Sequence, residues 1–227
     1  MDIAYYTDPG GRKVNEDALA VIEEDGSVLL ILGDGVGSCD DGKFASDTLL
    51  SVVRADLAGE LPDEDLLEDA VFHAGDLLCR EEGSVCTTAA IVWIHGNRAV
   101  VGNVGDSRIY QFREEGIQYQ SIDHSVAQLA VFAGELPADK IRQSPDKNRL
   151  ICAVGSRKGR LRVDTEELSV QPGDAFLLCT DGFWNEVIEK EMLADARVSD
   201  SAADWLGRMR ARILHPSDNH SAIAVRL

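Results

Sequence analysis

Two aspartates in this sequence follow apolar runs of strand length. Asp34 stands between two glycines just after the run at 28–32, and Asp181 precedes a glycine after the run at 175–180. Glycine tolerates positive φ and lets a ligand approach the backbone, so a strand that delivers a carboxylate into such a turn suits a metal ion or a catalytic acid. Asp-Gly is also a common turn, and one pair taken alone favours a simple hairpin turn.

Further acidic residues stand at predicted strand ends: Glu16, Asp17, Asp106 and Asp218. If these ends meet at one edge of a sheet, five or six carboxylates share a cleft. Two carboxylates about 4 Å apart repel by roughly 4 kcal/mol at an effective dielectric constant near 20. Several such pairs would consume most of the ~5–15 kcal/mol net stability of a domain.

Hard divalent cations would relieve this repulsion. Mg²⁺ and Mn²⁺ keep several waters and bind one or two carboxylates each. The sequence has no Cys-x-x-Cys pair and no group of histidines that would indicate zinc. Two such ions would polarise a phosphoryl oxygen and activate water near neutral pH, so the acidic set predicts hydrolysis of phosphate esters.

The elements that must position these residues are predicted from hydrophobic periodicity. Strands, joined largely as an antiparallel meander, are predicted at 3–7, 18–22, 28–32, 86–94, 99–104, 107–112, 117–122, 161–168, 175–180 and 221–227. Helices are predicted at 43–57, from 62 onward, at 125–132, 189–196 and 202–214. Phe44 is expected on the buried face of the first helix. The polar remainder of 124–149 is predicted as an irregular flap.

Composition limits the class of protein. The 227 residues, of which 44% are hydrophobic, fit one domain over 1–227. The formal net charge of −18 argues against nucleic acid or an anionic membrane as partners. Five cysteines without close pairing indicate a reducing compartment. With no secretory signal or membrane-spanning run in the sequence, a cytoplasmic protein is expected.

Seven short blocks, in order along the chain, resemble the PPM-type, metal-dependent Ser/Thr protein phosphatases (the protein phosphatase 2C family), and in particular the small bacterial members. The blocks are Arg12-x-x-Asn15-Glu16-Asp17-Ala18, Gly33-Asp34-Gly35-Val36-Gly37, Thr87-Thr88-Ala89, Asn103-Val104-Gly105-Asp106-Ser107-Arg108, Asp123-His124-Ser125, the stretch from Gly173-Asp174 to Cys179-Thr180-Asp181-Gly182, and Asp218-Asn219. The resemblance covers nearly the whole chain. It implies an α+β fold, a four-layer α-β-β-α sandwich of two mainly antiparallel sheets, with two to three Mn²⁺ or Mg²⁺ ions between the sheets.

The resemblance also implies ligand roles. Asp34 matches the ligand that bridges two metals, assisted by the Gly35 carbonyl. Asp181 and Asp218 match ligands of the first metal, and Asp17 matches the acid on the second.

Three further roles follow from the same resemblance. Glu16 matches a helper on the second metal, either direct or through water, and Asp106 with Asp181 matches a looser third site. Arg12 matches the clamp on the substrate phosphate, and a planar guanidinium suits a dianionic phosphate better than a lysine does. The alternatives are a surface pair of Asp106 with Arg108, a turn at Asp218, a solvated Arg12 and a structural His124.

The resemblance implies hydrolysis of phosphoserine and phosphothreonine by attack of a metal-bridging water, on proteins phosphorylated by a Ser/Thr kinase. The chain is expected to be a monomer, and its flap at 124–149 to set substrate choice. The alternatives are a phosphatase-like regulatory module without catalysis and a metal-dependent phosphoesterase of small metabolites.

The chain departs from the family pattern at three places. Val36 replaces a histidine that eukaryotic members carry, so protonation of the leaving group would fall to a metal-bound water. Cys86 replaces a glycine, and Gly37-Ser38-Cys39-Asp40 stands where many bacterial members have Gly-Gly-His. Cys39 is expected to be a quiet core thiol rather than a redox-sensitive one.

Overall fold

The computed structural model describes residues 1–114, 116–157 and 159–227. The strands are β1 (Asp2–Asp8), β2 (Ala18–Glu24), β3 (Ser27–Gly33), β4 (Ala89–His95), β5 (Arg98–Val104), β6 (Arg108–Arg113), β7 (Gly116–Gln120), β8 (Asp164–Ser169), β9 (Ala175–Cys179) and β10 (His220–Arg226). The helices are α1 (Gly42–Asp56), α2 (Glu64–Leu78), α3 (Val126–Phe132), α4 (Asp181–Trp184), α5 (Glu189–Val198) and α6 (Ala202–Arg210). No helix in these ranges is both long and apolar enough to cross a membrane.

The strands form two five-stranded antiparallel sheets, in the orders β1-β10-β9-β6-β7 and β2-β3-β4-β5-β8. The predicted sandwich is therefore confirmed. The continuous meander is wrong at two places: β1 pairs with β10 instead of β2, and β6 lies in the other sheet from β5. The chain changes sheets at Gly105, whose φ is +93°. A methyl group there would lie 2.6 Å from Thr88 Cγ2, so glycine suits this crossing.

Three apolar clusters hold the layers together. One lies between the sheets, where side chains such as Leu30 and Leu178 are fully buried. A second packs α1 and α2 on the β2-β3-β4-β5-β8 sheet around Trp93. The third packs α4–α6 on the other sheet around Trp205. Burying both faces of each sheet explains why the central strands are apolar without alternation.

Local signals placed the long helices well. Asp41 and Asp63 cap α1 and α2 by accepting a hydrogen bond from the backbone nitrogen three residues later. The prediction that Phe44 lies on the buried face of α1 is wrong, because 44% of this residue is exposed and Ala45 takes the buried position. The flap is less irregular than expected, because a 3₁₀ helix occupies Ala138–Gln143.

A buried ion pair fixes the turn that enters β9. Asp174 is 1% exposed and accepts hydrogen bonds from Arg113 Nε at 2.6 Å and from Gln111 Nε2 at 2.9 Å. Burial disfavours the carboxylate, but the Arg113 guanidinium and the hydrogen bonds outweigh it and lower the pKa of Asp174. A lowered pKa in the folded state adds stability above the unfolded pKa, and this stability is lost as the pH falls through the folded pKa.

The Asp174→Asn variant should therefore lose about 2 kcal/mol of unfolding free energy at pH 7, the scale of hydrogen bonds to a charged group. The loss should shrink as the pH falls below about 4, because the unfolded wild-type chain then binds a proton at Asp174, and it should be smallest below the lowered folded pKa, where folded Asp174 is protonated as well. Urea unfolding over a pH series measures both. Asp47→Asn, in an exposed pair with Lys43, should change little. A loss independent of pH would contradict the ion-pair account.

Candidate active site

A cleft of about 240 Å³ opens at the edge of the sandwich where the predicted acidic strand ends meet. It is lined by Arg12, Glu16, Asp34, Gly35, Val36, Gly37, Ser38, Thr88, Asp106, Asn148, Leu150, Asp181, Asp218 and Asn219. Asp17 lies behind these lining residues. Its Oδ2 accepts a hydrogen bond from Thr180, next to Asp181, and its charge helps to raise the pKa of Asp34. The structure thus brings together every residue that the sequence predicted for the site.

Asp34 is held by its backbone at the end of β3. Its nitrogen donates to Thr88 Oγ1 at 3.0 Å, and its carbonyl oxygen accepts from Thr87 Oγ1 at 3.0 Å. These contacts leave the carboxyl group to the cleft. Burial, and then the charges of Asp17 and Asp181, raise the pKa of Asp34 well above its usual value.

Asp17 is 2% exposed and only one of its two oxygens has a donor. Oδ2 accepts from Ser221 Oγ at 2.6 Å and from Thr180 Oγ1 at 3.1 Å. Oδ1 is buried and has no hydrogen-bond partner among the residues that the structure describes. Burial raises the pKa of Asp17 to about 7, although both hydroxyls favour the ionised form. A buried acceptor of this kind is what a cation would satisfy.

Two more carboxyl groups have pKa values raised by burial and by neighbouring carboxylates. Burial and the neighbouring Asp218 raise the pKa of Asp181 to about 6. Burial, followed by the charges of Asp181 and Asp123, raises the pKa of Asp106 well above its usual value. Asp181 begins α4 where the sequence suggested only a turn. Gly182 permits this, because a methyl group there would lie 2.0 Å from the Asn219 carbonyl oxygen.

Arg12 stands at the rim of the cleft. Its Nη2 donates to Asp218 Oδ2 at 2.8 Å, and its side chain remains 52% exposed. Asn219 holds the loop that carries Arg12. Its Oδ1 accepts from the nitrogen of Glu16, and its Nδ2 donates to the carbonyl oxygens of Pro9 and Val14, all at 2.9 Å. The sequence assigned no role to Asn219, although it lies in a matched block.

Oxygen donors dominate the site, which fits Mg²⁺ or Mn²⁺ better than a softer ion. The bare Asp17 Oδ1 and the raised pKa values of four carboxyl groups agree with this fit. In the described part of the chain, no group of three or more His, Cys, Asp or Glu side chains is arranged so that it could hold a metal ion. Asp218 is directed toward Arg12 instead.

Comparison with known proteins identifies the family of this chain. A family model described as protein phosphatase 2C matches residues 11–220. The chain belongs to the protein phosphatase 2C family. A curated relative, the serine/threonine phosphatase stp of Listeria innocua, is 31% identical over 85% of this chain and 81% of its own. The family and the class of enzyme predicted from the sequence, a metal-dependent phosphatase, are thereby confirmed.

Solved structures share the fold. The PPM Ser-Thr phosphatase MsPP from Mycobacterium smegmatis, in complex with cacodylate, is 28% identical with a TM-score of 0.82, and the match covers 100% of this chain and 98% of that one. The serine/threonine phosphatase Stp1 from Staphylococcus aureus has a TM-score of 0.92 at 24% identity, over 100% and 95% of the two chains.

Two side chains beside the site of this protein phosphatase 2C member are structural. Arg108 is 2% exposed, so it does not form a surface pair with Asp106. It donates from Nε and Nη2 to Asp123 at 2.8 and 2.7 Å and stacks 3.6 Å over the Trp184 ring. His124 lies between the Gly105 nitrogen at 3.3 Å and Asp164 Oδ2 at 3.1 Å, which supports the structural interpretation of this histidine.

Proposed function

We propose that this protein phosphatase 2C member hydrolyses phosphoserine and phosphothreonine in proteins, with Mn²⁺ or Mg²⁺ as cofactor. The observation that carries the proposal is the convergence of acids from distant parts of the chain on one cleft beside an exposed guanidinium. Buried carboxyl groups with raised pKa values mark functional sites more often than structural ones. We also propose that its substrates are proteins phosphorylated by a Ser/Thr kinase, and that the chain acts as a monomer in the cytoplasm.

The residues proposed to hold two metal ions are Asp17, Asp34, the carbonyl of Gly35, Asp181 and Asp218. Glu16 assists at the second ion, and Asp106 with Asp181 offers a weaker third position. Such ions, when bound, supply Lewis acidity toward a phosphoryl oxygen and make water nucleophilic near neutral pH. The carboxylates keep the ions in place and exclude soft metals.

Arg12 is proposed to receive the substrate phosphate. A guanidinium offers parallel donors to two phosphate oxygens, whereas an ammonium acts as a point charge. Since Arg12 already pairs with Asp218 and is half exposed, it can exchange that carboxylate for a phosphate by a side-chain rotation. Val36 lines the cleft, but its side chain has no acidic proton, so it cannot protonate the leaving group.

Arg12→Lys should raise KM for a phosphopeptide about tenfold or more, since losing one charge-assisted hydrogen bond costs about 1.5–3 kcal/mol. The turnover number should fall less than KM rises. Steady-state kinetics with added Mn²⁺ measure the split. Arg208→Lys is the control, because Arg208 lies in an exposed pair with Asp204 on α6 and does not line the cleft. An unchanged KM in Arg12→Lys would remove Arg12 from the phosphate site.

Comparing substrates tests the main proposal against the small-metabolite alternative. The purified chain should turn over phosphothreonine peptides with Mn²⁺ and lose this activity on chelation. A strong preference for small phosphate esters over phosphopeptides would instead favour the metabolite phosphoesterase. No turnover of either substrate, with Mn²⁺ bound, would favour the regulatory module. Replacing the flap at 124–149 should change the ratio of peptide to small-ester rates.

Ser221 should govern metal affinity through Asp17. Its hydroxyl donates to Asp17 Oδ2 at 2.6 Å, and its oxygen lies 2.8 Å from the Thr7 hydroxyl oxygen. Ser221→Ala should weaken Mn²⁺ binding about 10–100-fold, as loss of an outer-shell partner does. Calorimetric titration with Mn²⁺ measures this directly. Thr7→Val is the matched control, because it removes the other partner of the same hydroxyl. Equal affinities in Ser221→Ala and wild type would contradict the role.

A further inference from the structure

Two segments run side by side along the wall of the cleft. The nitrogen of Val36 donates to the Cys86 carbonyl oxygen at 2.9 Å, and that of Asp40 donates to the Ser84 carbonyl oxygen at 2.7 Å. The turn at 36–39 is closed by the Cys39 nitrogen, which donates to the Val36 carbonyl oxygen at 2.8 Å. Two cysteines therefore lie on neighbouring segments that are held in register by backbone hydrogen bonds.

Their thiols share one neighbour. The Ser84 hydroxyl lies 3.3 Å from Cys39 Sγ and 3.7 Å from Cys86 Sγ. The Ser84 hydroxyl therefore connects the two thiols, on segments that the backbone hydrogen bonds already hold side by side. Cys39 is half-buried and accessible from solvent, so it is not the core thiol expected from the sequence, whereas Cys86 is buried. The two sulfurs contact the same hydroxyl and differ in their access to solvent.

We propose that Cys39 and Cys86 are a thiol pair that a hydroperoxide oxidises to an intramolecular disulfide at the edge of the cleft. Neither residue belongs to the set proposed to bind metal or phosphate. Both are free thiols in the structure. A disulfide requires neighbouring backbones, and the register of 36–40 beside 84–86 provides them.

The chemistry balances in two steps. The Cys39 thiolate attacks one peroxide oxygen, the O–O bond breaks, and the leaving oxygen takes a proton to become water or an alcohol; Cys39 is then a sulfenic acid. The Cys86 sulfur attacks the Cys39 sulfur, an S–S bond forms, and hydroxide leaves with the Cys86 proton as water. The two thiols lose two electrons and the peroxide gains them.

The solvent access of Cys39 and the raised pKa of Cys86 indicate which thiol reacts first. Burial, and then the contact with Cys39, raise the pKa of Cys86 to about 11, so little of it is thiolate at neutral pH. Cys39 is the thiol that solvent reaches, and it therefore meets the peroxide first. Cys86 then attacks the Cys39 sulfenic acid within the same molecule, and its proton passes to the departing hydroxide as the S–S bond forms.

The disulfide would act on the cleft. Val36, Gly37 and Ser38 line the cleft and lie within the turn that Cys39 closes. Joining Cys39 to Cys86 would tie this turn covalently to the neighbouring segment and change the contacts of both sulfurs with the Ser84 hydroxyl. We expect the restrained turn to slow phosphopeptide hydrolysis severalfold. This effect on rate rests on the proposed function, whereas formation of the disulfide does not.

The experiment treats the Mn²⁺-loaded full chain with hydrogen peroxide, alkylates the remaining thiols and maps the peptides by mass spectrometry. The expected product is one Cys39–Cys86 disulfide with the other three thiols still alkylated, and dithiothreitol should restore both thiols and the rate. Cys39→Ser and Cys86→Ser should keep the basal rate and lose its peroxide sensitivity. Cys152→Ser, which removes another half-buried thiol, should stay sensitive.

Several outcomes would overturn the pair. These are five unreacted thiols, Cys39 oxidised to sulfinic or sulfonic acid beside a free Cys86, a bond to Cys79, or a disulfide between two chains. A mapped Cys39–Cys86 disulfide with an unchanged rate would overturn the restraint on the cleft. If the chain hydrolyses no phosphopeptide at all, the peptide map still decides whether the disulfide forms.

Discussion

The Asp34→Asn variant should lose about a thousandfold in kcat/KM on a phosphothreonine peptide. Metal ions contribute several kcal/mol of charge stabilisation in the transition state, and each 1.36 kcal/mol is a factor of ten in rate. Asp34 follows β3 directly, and both its backbone nitrogen and its carbonyl oxygen are fixed by threonine hydroxyls. An amide there keeps one oxygen but loses the negative charge proposed to serve both ions.

Unfolding of the metal-free protein separates this loss from a folding defect. Asp34 is surrounded by Asp17, Asp181 and Asp106, whose charges raise its pKa. Removing one of four crowded carboxyl groups relieves repulsion, so metal-free Asp34→Asn should be no less stable to urea than wild type. Manganese binding should weaken in parallel with activity. Asp47→Asn, exposed on α1, is the control for charge alone. Equal phosphopeptide rates in Asp34→Asn and wild type would defeat the assigned role of Asp34.

The Asp123→Ala variant should lose about 3 kcal/mol of unfolding free energy. It would leave the Arg108 guanidinium buried without its bidentate partner, a change that costs about 3–5 kcal/mol. The lower end applies because Glu189 Oε1 still lies 3.2 Å from Arg108 Nη1 and the Trp184 face remains beneath it. Against a net stability of ~5–15 kcal/mol, this loss removes roughly a fifth to three fifths of the total.

Urea denaturation measures the loss, and a double variant identifies its cause. Arg108→Met combined with Asp123→Leu should recover most of the stability, because no charge is then left in the interior. Asp146→Ala, which removes the acid of the exposed pair with Arg149, should change little. A loss in Asp123→Ala below about 1 kcal/mol, or a double variant less stable than Asp123→Ala, would show that the isolated charge is not the cause.

Local sequence determined the elements and the acids at their ends. The apolar run before Asp34 and the one before Asp181 became β3 and β9, and the caps Asp41 and Asp63 begin α1 and α2 as their spacing indicates. These signals lie within a few residues of one another along the chain, which is the range over which periodicity and capping act. The family resemblance of the seven blocks predicted the four-layer sandwich, and the structure confirms it.

Tertiary structure alone decided how the acids are held. Ser221 contacts Asp17 across 204 positions of sequence, and Asn219 reaches Glu16 across 203, because β1 pairs with β10 instead of β2. The same packing buried Arg108 and placed Cys39 beside Cys86. A hydroxyl or a thiol has no periodic signature, so its partner is set only when distant strands meet. The sequence therefore determined which residues are proposed to bind metal and phosphate. The folded chain decided which of their oxygens accept hydrogen bonds from other parts of the protein.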